Sequence, residues 1–224
     1  MEADRVLSTQ GSVTDFVGRS TVVGPVPFVP EVRLHLAGAA IPLWEELEAL
    51  TGETNSAPPF WAFAWAGGVA IARYVLDHPE VVRGRTVLDI AAGSGVVSVA
   101  AAKAGAVSVR AVEIDPFAIA AIRLNADANA VNIQAECVDL LGGDGAPAGV
   151  VLAGDVFYER TMAARFLPFL ERACRRGAVV LVGDPGRAYL PAERFQKVAQ
   201  YEVPVSADLE DKPVKTTTVW RLVA

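Results

Sequence analysis

The sequence has few cysteines, few histidines and no concentrated positive charge. Only two of its 224 residues are cysteines, and Cys137 and Cys174 are too far apart to suggest a disulfide framework or a zinc site. The two histidines, His35 and His78, are isolated, so no metal site is expected. Lysine and arginine number 20 against 26 acidic residues, and no basic cluster exceeds Arg175-Arg176. A broad nucleic-acid surface is therefore not expected.

Long apolar runs are also missing, although hydrophobic residues make up 52% of the chain and the mean hydropathy is +0.34. No run approaches the ~18 uninterrupted apolar residues of a membrane span. The start, Met-Glu-Ala-Asp-Arg, has no basic segment followed by an apolar one, so no signal peptide is expected. We expect a monomeric cytoplasmic protein with reduced thiols and no membrane partner.

The first 60 residues predict an N-terminal extension that packs on a core domain spanning residues 61–224. Residues 1–20 are polar and unpatterned, and we expect them to be partly disordered. Apolar residues alternate from Val32 to Leu36, which indicates a strand, and residues 42–50 predict a short helix. A loop follows at residues 51–59, and the nearly all-apolar residues 65–76 predict a buried helix.

The core alternates strands and helices. We predict strands at 86–90, 107–114, 133–138, 150–153 and 178–182, and helices at 96–104, 116–130, 162–173 and 191–198. Asp115-Pro116 is a favourable helix start, with a capping acid before a proline. Two final strands, at 201–205 and 216–223, follow each other without a helix. The pattern predicts an α/β, Rossmann-like, seven-stranded and mostly parallel sheet with a C-terminal antiparallel hairpin and helices on both faces.

A glycine turn follows the first core strand, in the sequence Val-Leu-Asp-Ile-Ala-Ala-Gly-Ser-Gly of residues 87–95. Glycines in such a turn let the backbone approach a ligand closely. The next strand ends in Glu113, 20 positions beyond Gly93, where a carboxylate can accept hydrogen bonds from a ribose diol. The pattern predicts an adenosine-containing cofactor.

Two cofactors fit this turn. A dinucleotide fingerprint requires three glycines, and Gly93, Gly95 and Ser98 supply two of them. An S-adenosylmethionine loop, acid-x-Gly-x-Gly-x-Gly, is matched by Asp89, Ala91 and the same two glycines, with Ala91 departing from the pattern. The carboxylate of Asp89 would repel a pyrophosphate but suits a ligand carrying an ammonium and a sulfonium. This favours S-adenosylmethionine.

Several segments together resemble the class I, seven-β-strand methyltransferases. More closely, they resemble the bacterial relatives of the electron-transfer-flavoprotein β-subunit lysine methyltransferases. The resemblance covers roughly residues 28–224 and depends on residues 59–68, 87–95, 112–115, 154–158 and 183–187. The glycine turn is common to the whole superfamily. The tryptophan-rich segment Pro59–Gly68 and the sequence Asp-Val-Phe-Tyr of residues 155–158 are more specific.

The resemblance implies a cofactor pocket formed by Trp65, Asp89, Ala91, Gly93, Gly95, Glu113, Ile114, Asp139 and Asp155. Asp89 and the loop backbone would face the methionine end, and Glu113 would face the ribose. Asp139 would accept a hydrogen bond from the adenine amino group, and Ile114 would pack on the adenine. Trp65 would cover the cofactor or line the acceptor entrance.

The resemblance also implies that Asp155 and Tyr158 are the catalytic residues. Ligands of open α/β sheets bind beyond the carboxyl ends of the strands, where these residues lie. Asp155 would orient the amine, and Tyr158 would pack on the lysine stem with a cation–π energy of about 0.5–2 kcal/mol. Alternatively, Asp155 only caps the next helix. Asp184 and Arg187 either pair with each other or contact the substrate.

The expected function is S-adenosylmethionine-dependent protein-lysine N-methylation, with the electron-transfer flavoprotein β subunit as substrate. A small-molecule N-methyltransferase of the nicotinamide type and a ribosomal-protein methyltransferase are the alternatives. The chain has no large insertion between strands that would form a lid, which favours a protein substrate. An NAD-dependent oxidoreductase fits poorly, because no Tyr-x-x-x-Lys pair lies in a plausible helix. A cofactor-binding module without catalysis is a further alternative.

Overall fold

A seven-stranded sheet forms the centre of the computed structural model, which describes residues 13–52, 57–143, 147–205 and 212–223. The strands are β1 (Val22–Val26), β2 (Val29–Leu36), β3 (Thr86–Ile90), β4 (Ser108–Glu113), β5 (Gln134–Cys137), β6 (Val150–Gly154), β7 (Val179–Asp184), β8 (Phe195–Pro204) and β9 (Val214–Leu222). The sheet order is β5-β4-β3-β6-β7-β9-β8. The first five strands in that order are parallel, and β9 is antiparallel to both β7 and β8. The predicted fold class is confirmed.

Helices cover both faces of this sheet. Residues 13–20 form α1, and the other helices are α2 (Ala40–Thr51), α3 (Ala66–Asp77), α4 (Val96–Lys103), α5 (Pro116–Ala128) and α6 (Arg160–Arg175). Side chains alternate along a strand, so Val150 and Leu152 of β6 join the apolar cluster of α3 and α4. Val151 and Ala153 join the cluster of α6. A strand buried on both faces carries mostly apolar side chains on both, which explains the short, nearly continuous apolar runs of the core strands.

One segment near the end of the chain, residues 191–200, differs from the prediction. The helix expected at 191–198 is wrong, because only a short 3-10 turn, Ala192–Arg194, precedes the strand β8. β8 pairs with β9 along most of its length, from Phe195 opposite Leu222 to Pro204 opposite Val214. A short mixed run of apolar residues fits a helix or a strand equally well, and here the pairing with β9 decides.

The N-terminal residues are more ordered than expected. Residues 13–20 are helical, with Phe16 and Val17 fully buried, so the expectation of disorder is wrong for them, while residues 1–12 lie outside the described ranges. Phe16 packs edge-on against Trp61 and Phe117, at ring-centroid distances of 6.5 and 5.6 Å. The strand predicted from Val32 belongs to β2, which pairs with β1. The sequence did not indicate β1, because its glycine and proline interrupt the alternation.

One fully buried amide joins this hairpin to the glycine turn. Asn125 of α5 donates from Nδ2 to the carbonyl of Ser94, 2.8 Å away, and its Oδ1 accepts from the backbone N–H of His35 at 2.6 Å. One helical turn later, Oδ1 of Asn129 accepts from the backbone N–H of Arg33 at 3.0 Å. Residues four apart lie on one face of a helix, so α5 holds β2 and the turn together.

Candidate active site

Acidic side chains gather at the carboxyl edge of the sheet. Asp89 is in β3, Glu113 ends β4, Asp155 directly follows β6 and Asp184 ends β7. These strands are parallel neighbours, so their carboxyl ends lie at one edge. This is the edge at which open α/β sheets bind their ligands.

The glycine turn lies at this edge and contains three residues in the left-handed region. Ala91, Gly93 and Gly95 have φ values of 54°, 54° and 76°. A Cβ placed on Gly93 would meet no atom within 4 Å, whereas one on Gly95 would lie 3.1 Å from Ile122. Gly95 is therefore needed for packing under the turn, and the space around Gly93 is open to a ligand.

Replacing Ala91 with glycine is expected to stabilise the protein. An alanine with positive φ holds its Cβ close to the following carbonyl, a strain that glycine does not have. We expect Ala91→Gly to raise the free energy of unfolding by about 1 kcal/mol, measured by urea denaturation. The control is Ala188→Gly, at an exposed position without positive φ, which should not stabilise. A loss of stability in Ala91→Gly would contradict the strain.

Glu113 holds the turn from the end of β4. Its carboxylate accepts hydrogen bonds from the backbone N–H groups of Gly93, at 2.7 Å, and Ile114, at 3.0 Å. Burial raises the pKa of Glu113 above its usual value, although both hydrogen bonds oppose this. The neighbouring Ile114 side chain is 71% exposed, which leaves an apolar surface beside the acid.

Asp89 is enclosed beneath the turn, with only 1% of its surface exposed. Its Oδ2 accepts a hydrogen bond from Oγ of Ser98 in α4, 2.7 Å away. Burial raises the pKa of Asp89 to about 7, and the charge of Glu113 adds to this. A cation bound nearby would lower the pKa again and restore the carboxylate.

Asp139 lies on the surface after β5. It accepts from the backbone N–H of Leu141 at 3.0 Å and pairs with the guanidinium of Arg165 in α6 at 2.6 Å. The hydrogen bond from Arg165 lowers the pKa of Asp139. The structure thus places Asp139 at the predicted edge but gives its carboxylate partners that the sequence did not indicate.

Asp155 follows β6 beside the start of α3, where the resemblance places the methyl acceptor, and we call this part of the edge the acceptor side. Its Oδ2 accepts from the backbone N–H of Gly68 at 3.1 Å, so it caps the start of α3 and not that of the next helix, α6. Oδ1 lies 3.5 Å from Nη2 of Arg187, and the carboxyl side chain is 12% exposed. Burial raises the pKa of Asp155 to about 6, and Arg187 opposes the rise. Its φ of 55° is unusual for a residue other than glycine.

Three glycines allow α3 to approach Asp155. A Cβ on Gly67 would lie 2.2 Å from the carbonyl oxygen of Gly183, and one on Gly154 would lie 2.7 Å from the nitrogen of Gly68. A Cβ on Gly183 would lie 2.0 Å from the carbonyl oxygen of Gly67. Only glycine fits at this contact between the start of α3 and the ends of β6 and β7.

Three aromatic side chains lie beside one another at the acceptor side. Tyr158, which is 42% exposed, has its ring centroid 5.8 Å from that of Phe60. Trp65 lies 5.6 Å from Phe60 and donates from Nε1 to its carbonyl oxygen at 2.9 Å. Trp61 is instead fully buried and stacks on Phe117. Sequence reasoning did not single out Phe60, and its only signal was its place in the tryptophan-rich segment.

The turn after β7 contains Asp184 and Arg187, which the sequence left either paired with each other or in contact with the substrate. Oδ1 of Asp184 accepts from the backbone N–H groups of Gly186, at 2.7 Å, and Arg187, at 2.6 Å. The guanidinium of Arg187 faces Asp155. Asp184 therefore shapes the turn, and the turn directs Arg187 toward the acceptor side.

Comparison with known proteins gives the family. A protein-family model described as ribosomal protein L11 methyltransferase (PrmA) matches residues 73–154. The electron transfer flavoprotein beta subunit lysine methyltransferase of Xenopus laevis is 36% identical over 213 residues, covering 92% of this chain and 85% of that protein. The protein of the same name from Danio rerio is 32% identical over 228 residues, covering 97% of this chain and 87% of that protein.

The chain belongs to the electron transfer flavoprotein beta subunit lysine methyltransferase family. The predicted activity, S-adenosylmethionine-dependent lysine N-methylation, and the predicted methyl donor are confirmed by this membership. The crystal structure of ribosomal protein L11 methylase from Lactobacillus delbrueckii subsp. bulgaricus has a TM-score of 0.53 and 21% identity. It covers 72% of this chain and 81% of that one, and it supports the fold alone.

The edge of this methyltransferase fits an adenosine-containing donor. The open space at Gly93, the carboxylate of Glu113 and the exposed Ile114 lie around the turn. Oδ1 of Asp155 is buried and accepts no hydrogen bond within the part of the chain that the structure describes. The donor's cationic end and the incoming amine are groups that such a carboxylate attracts.

Two further features of the methyltransferase concern metals and membranes. Across residues 13–52, 57–143, 147–205 and 212–223, no three histidine, cysteine or acidic side chains are grouped to bind a metal ion. Within the same ranges, no helix combines the length and the hydropathy needed to cross a membrane.

Proposed function

We propose that this methyltransferase transfers methyl groups to a lysine of the electron transfer flavoprotein β subunit. The names of the relatives from frog and zebrafish support this substrate, because the alignments cover most of each chain. The observation that carries the proposal is the acceptor side itself. A largely buried carboxylate, Asp155, lies next to a cluster in which Tyr158 and Phe60 are partly exposed. Partly exposed aromatic side chains beside a largely buried carboxylate suit a long cationic side chain presented by a protein.

We propose that Trp65, Asp89, Ala91, Gly93, Gly95, Glu113, Ile114, Asp139 and Asp155 hold the donor. Glu113 already fixes the turn through two backbone N–H groups, and its carboxylate has further acceptor capacity for ribose hydroxyls. Ile114 offers an exposed apolar surface for the adenine. Asp139 can reach the adenine amino group in two ways. Its carboxylate either accepts from Arg165 and the adenine at the same time, or it releases Arg165.

We propose that Asp155 and Tyr158 act on the acceptor. S-adenosylmethionine, when bound, would supply a sulfonium methyl group to the neutral lysine amine: the N–C bond forms in line as the C–S bond breaks, and the C–S electron pair stays on the sulfur of the departing S-adenosylhomocysteine. Asp155 accepts a hydrogen bond from the lysine nitrogen and orients its lone pair, and Tyr158 packs along the lysine stem. The lysine proton leaves to solvent through the open side. Holding the reactants in line supplies several kcal/mol by proximity.

The other expectations remain proposals. We propose a monomeric, cytoplasmic enzyme with a core domain at 61–224 and an extension at 1–60 that packs on it. We also propose, from the resemblance of the sequence segments alone, that it belongs to the bacterial branch of the family; the two relatives named above are vertebrate. Neither a nucleic acid nor a membrane is proposed as a partner.

The substrate can be tested with purified enzyme and S-adenosylmethionine carrying a labelled methyl group. The flavoprotein β subunit, ribosomal protein L11 and nicotinamide are offered separately, and intact-mass spectrometry counts the methyl groups added to each protein. We expect label in the β subunit only, at one or more lysines mapped by peptide sequencing. Label in L11 alone would support the activity named by the family model over residues 73–154, and label in nicotinamide alone would contradict a protein substrate.

A further inference from the structure

Arg187 places its positive charge close to Asp155, the residue that we propose binds the amine of the substrate lysine. Its Nη2 lies 3.5 Å from Oδ1 of Asp155, and both side chains are largely shielded from water. The turn that carries Arg187 is fixed by Asp184, whose carboxylate accepts the backbone N–H of Arg187 itself. The hydrogen bond to Asp184 thus fixes the backbone of Arg187, from which its guanidinium reaches Asp155.

The charges around Asp155 come from two elements. From β7 and the turn after it, Asp184 contributes a negative charge and Arg187 a positive one. From the start of α3, the backbone N–H groups of Gly67 and Gly68 point to the carboxylate. Asp155 alone would stabilise the ammonium form of an incoming lysine, and that form cannot attack a methyl group. The site needs a neighbouring charge that cancels this effect.

We propose that Arg187 is a positioning residue that keeps Asp155 ionised while favouring the neutral amine of the substrate lysine. The inference rests on the proposed function, because it takes Asp155 as the group that receives the lysine. Arg187 offsets the negative charge that the amine would otherwise meet, and its electrostatic attraction for Asp155 disfavours protonation of that carboxyl. Asp155 then accepts a hydrogen bond from the neutral amine, and it does not itself become protonated.

The sign of the pH effect follows from the reactive form. In that form Asp155 is ionised and the lysine is neutral, so both protons have been lost. A nearby positive charge lowers the proton affinity of both groups, and its removal raises it. Since the two groups titrate as a coupled pair, the acid limb of the rate profile moves as a whole. Loss of Arg187 should therefore move this limb to higher pH.

The test compares pH profiles of kcat, which report the groups of the enzyme–substrate complex, for Arg187→Gln, Arg187→Lys and the wild type on the flavoprotein β subunit, from about pH 5.5 to about pH 9.5. We expect the acid limb of the Arg187→Gln profile to shift to higher pH by about one pH unit. The rate then falls about tenfold at pH values below the midpoint and recovers at high pH. Arg187→Lys keeps the charge and should keep the wild-type midpoint. Arg160→Gln, which removes an exposed guanidinium that stacks on Tyr189, is the matched control and should also keep it.

The outcomes separate the inference from the function on which it rests. A loss of rate in Arg187→Gln that is equal at every pH, with an unmoved midpoint, would overturn the inference and leave a structural role. A wild-type enzyme that does not label the β subunit would instead contradict the substrate. Calorimetric binding of S-adenosylhomocysteine, expected to be unchanged, shows that the variant is folded. Arg187→Met, which keeps the apolar stem, replaces the glutamine variant if that variant does not fold.

Discussion

Asp155→Asn is expected to lower kcat by at least about a hundredfold, whereas the affinity for S-adenosylmethionine should fall by no more than about tenfold because eight other residues are proposed to hold the donor as well. Asparagine keeps an oxygen that can accept from the N–H of Gly68, and it tolerates the left-handed backbone at this position. The substitution thus removes the charge with little change in shape. Without that charge the amine is no longer oriented. Single-turnover rates with the flavoprotein β subunit and calorimetry with the donor measure the two quantities.

The matched control for this prediction is Glu159→Gln. Glu159 lies four positions further on, is exposed and carries the same charge. We expect its kcat to remain within about threefold of the wild type, because a screened surface charge contributes little. Equal losses of kcat in both variants would mean that any negative charge at this edge of the sheet affects the rate. Full activity of Asp155→Asn would show that Asp155 is not a catalytic residue.

Gly183→Ala is expected to lower the free energy of unfolding by about 3 kcal/mol or more, and to abolish activity with it. The new Cβ would lie 2.0 Å from the carbonyl oxygen of Gly67 and 2.9 Å from Cγ1 of Ile71. Backbone cannot move aside as a flexible side chain can, so the start of α3 must withdraw from β7. That movement would also break the hydrogen bond between Gly68 and Asp155.

Gly24→Ala provides the control for this substitution. Gly24 also lies in a strand, but a Cβ there would meet no atom within 4 Å and its φ is not positive. We expect a change within about 0.5 kcal/mol, measured by the same denaturant titration. A Gly183→Ala protein as stable as the Gly24→Ala protein would mean that α3 and the sheet edge are less tightly packed than the distances indicate.

The sequence predicted the parts of the fold in which local pattern and tertiary structure agree. The strand, glycine turn and helix from Thr86 to Lys103 are found almost as predicted, because apolar periodicity and turn residues point the same way. Asp115 caps α5 as expected and accepts from the N–H of Phe117. Only the end of the strand β8 was predicted, as the strand at 201–205; its beginning was assigned to a helix, since only the pairing with β9 distinguishes the two there.

The sequence pointed to acidic residues that the structure brings together at one edge of the sheet, but it did not indicate their partners. The sequence pointed to Asp155, yet it could not indicate that this carboxylate caps α3, which begins 89 residues earlier at Ala66 (155 − 66). The positions of Phe60 beside Tyr158 and of Arg187 beside Asp155 also depend on long-range packing. Contacts of this kind leave no periodic signal along the chain.

The buried amide of Asn125 has a thermodynamic consequence. The Asn125 side chain binds both the carbonyl of Ser94 and the N–H of His35. The docking of the β1–β2 hairpin and the shape of the glycine turn are therefore linked. Linkage is reciprocal, so a methyl donor that favours the ordered turn favours the docked hairpin by the same factor. Substitutions in β2, which supplies none of the proposed site residues, can therefore change how tightly the enzyme retains its donor and its spent product.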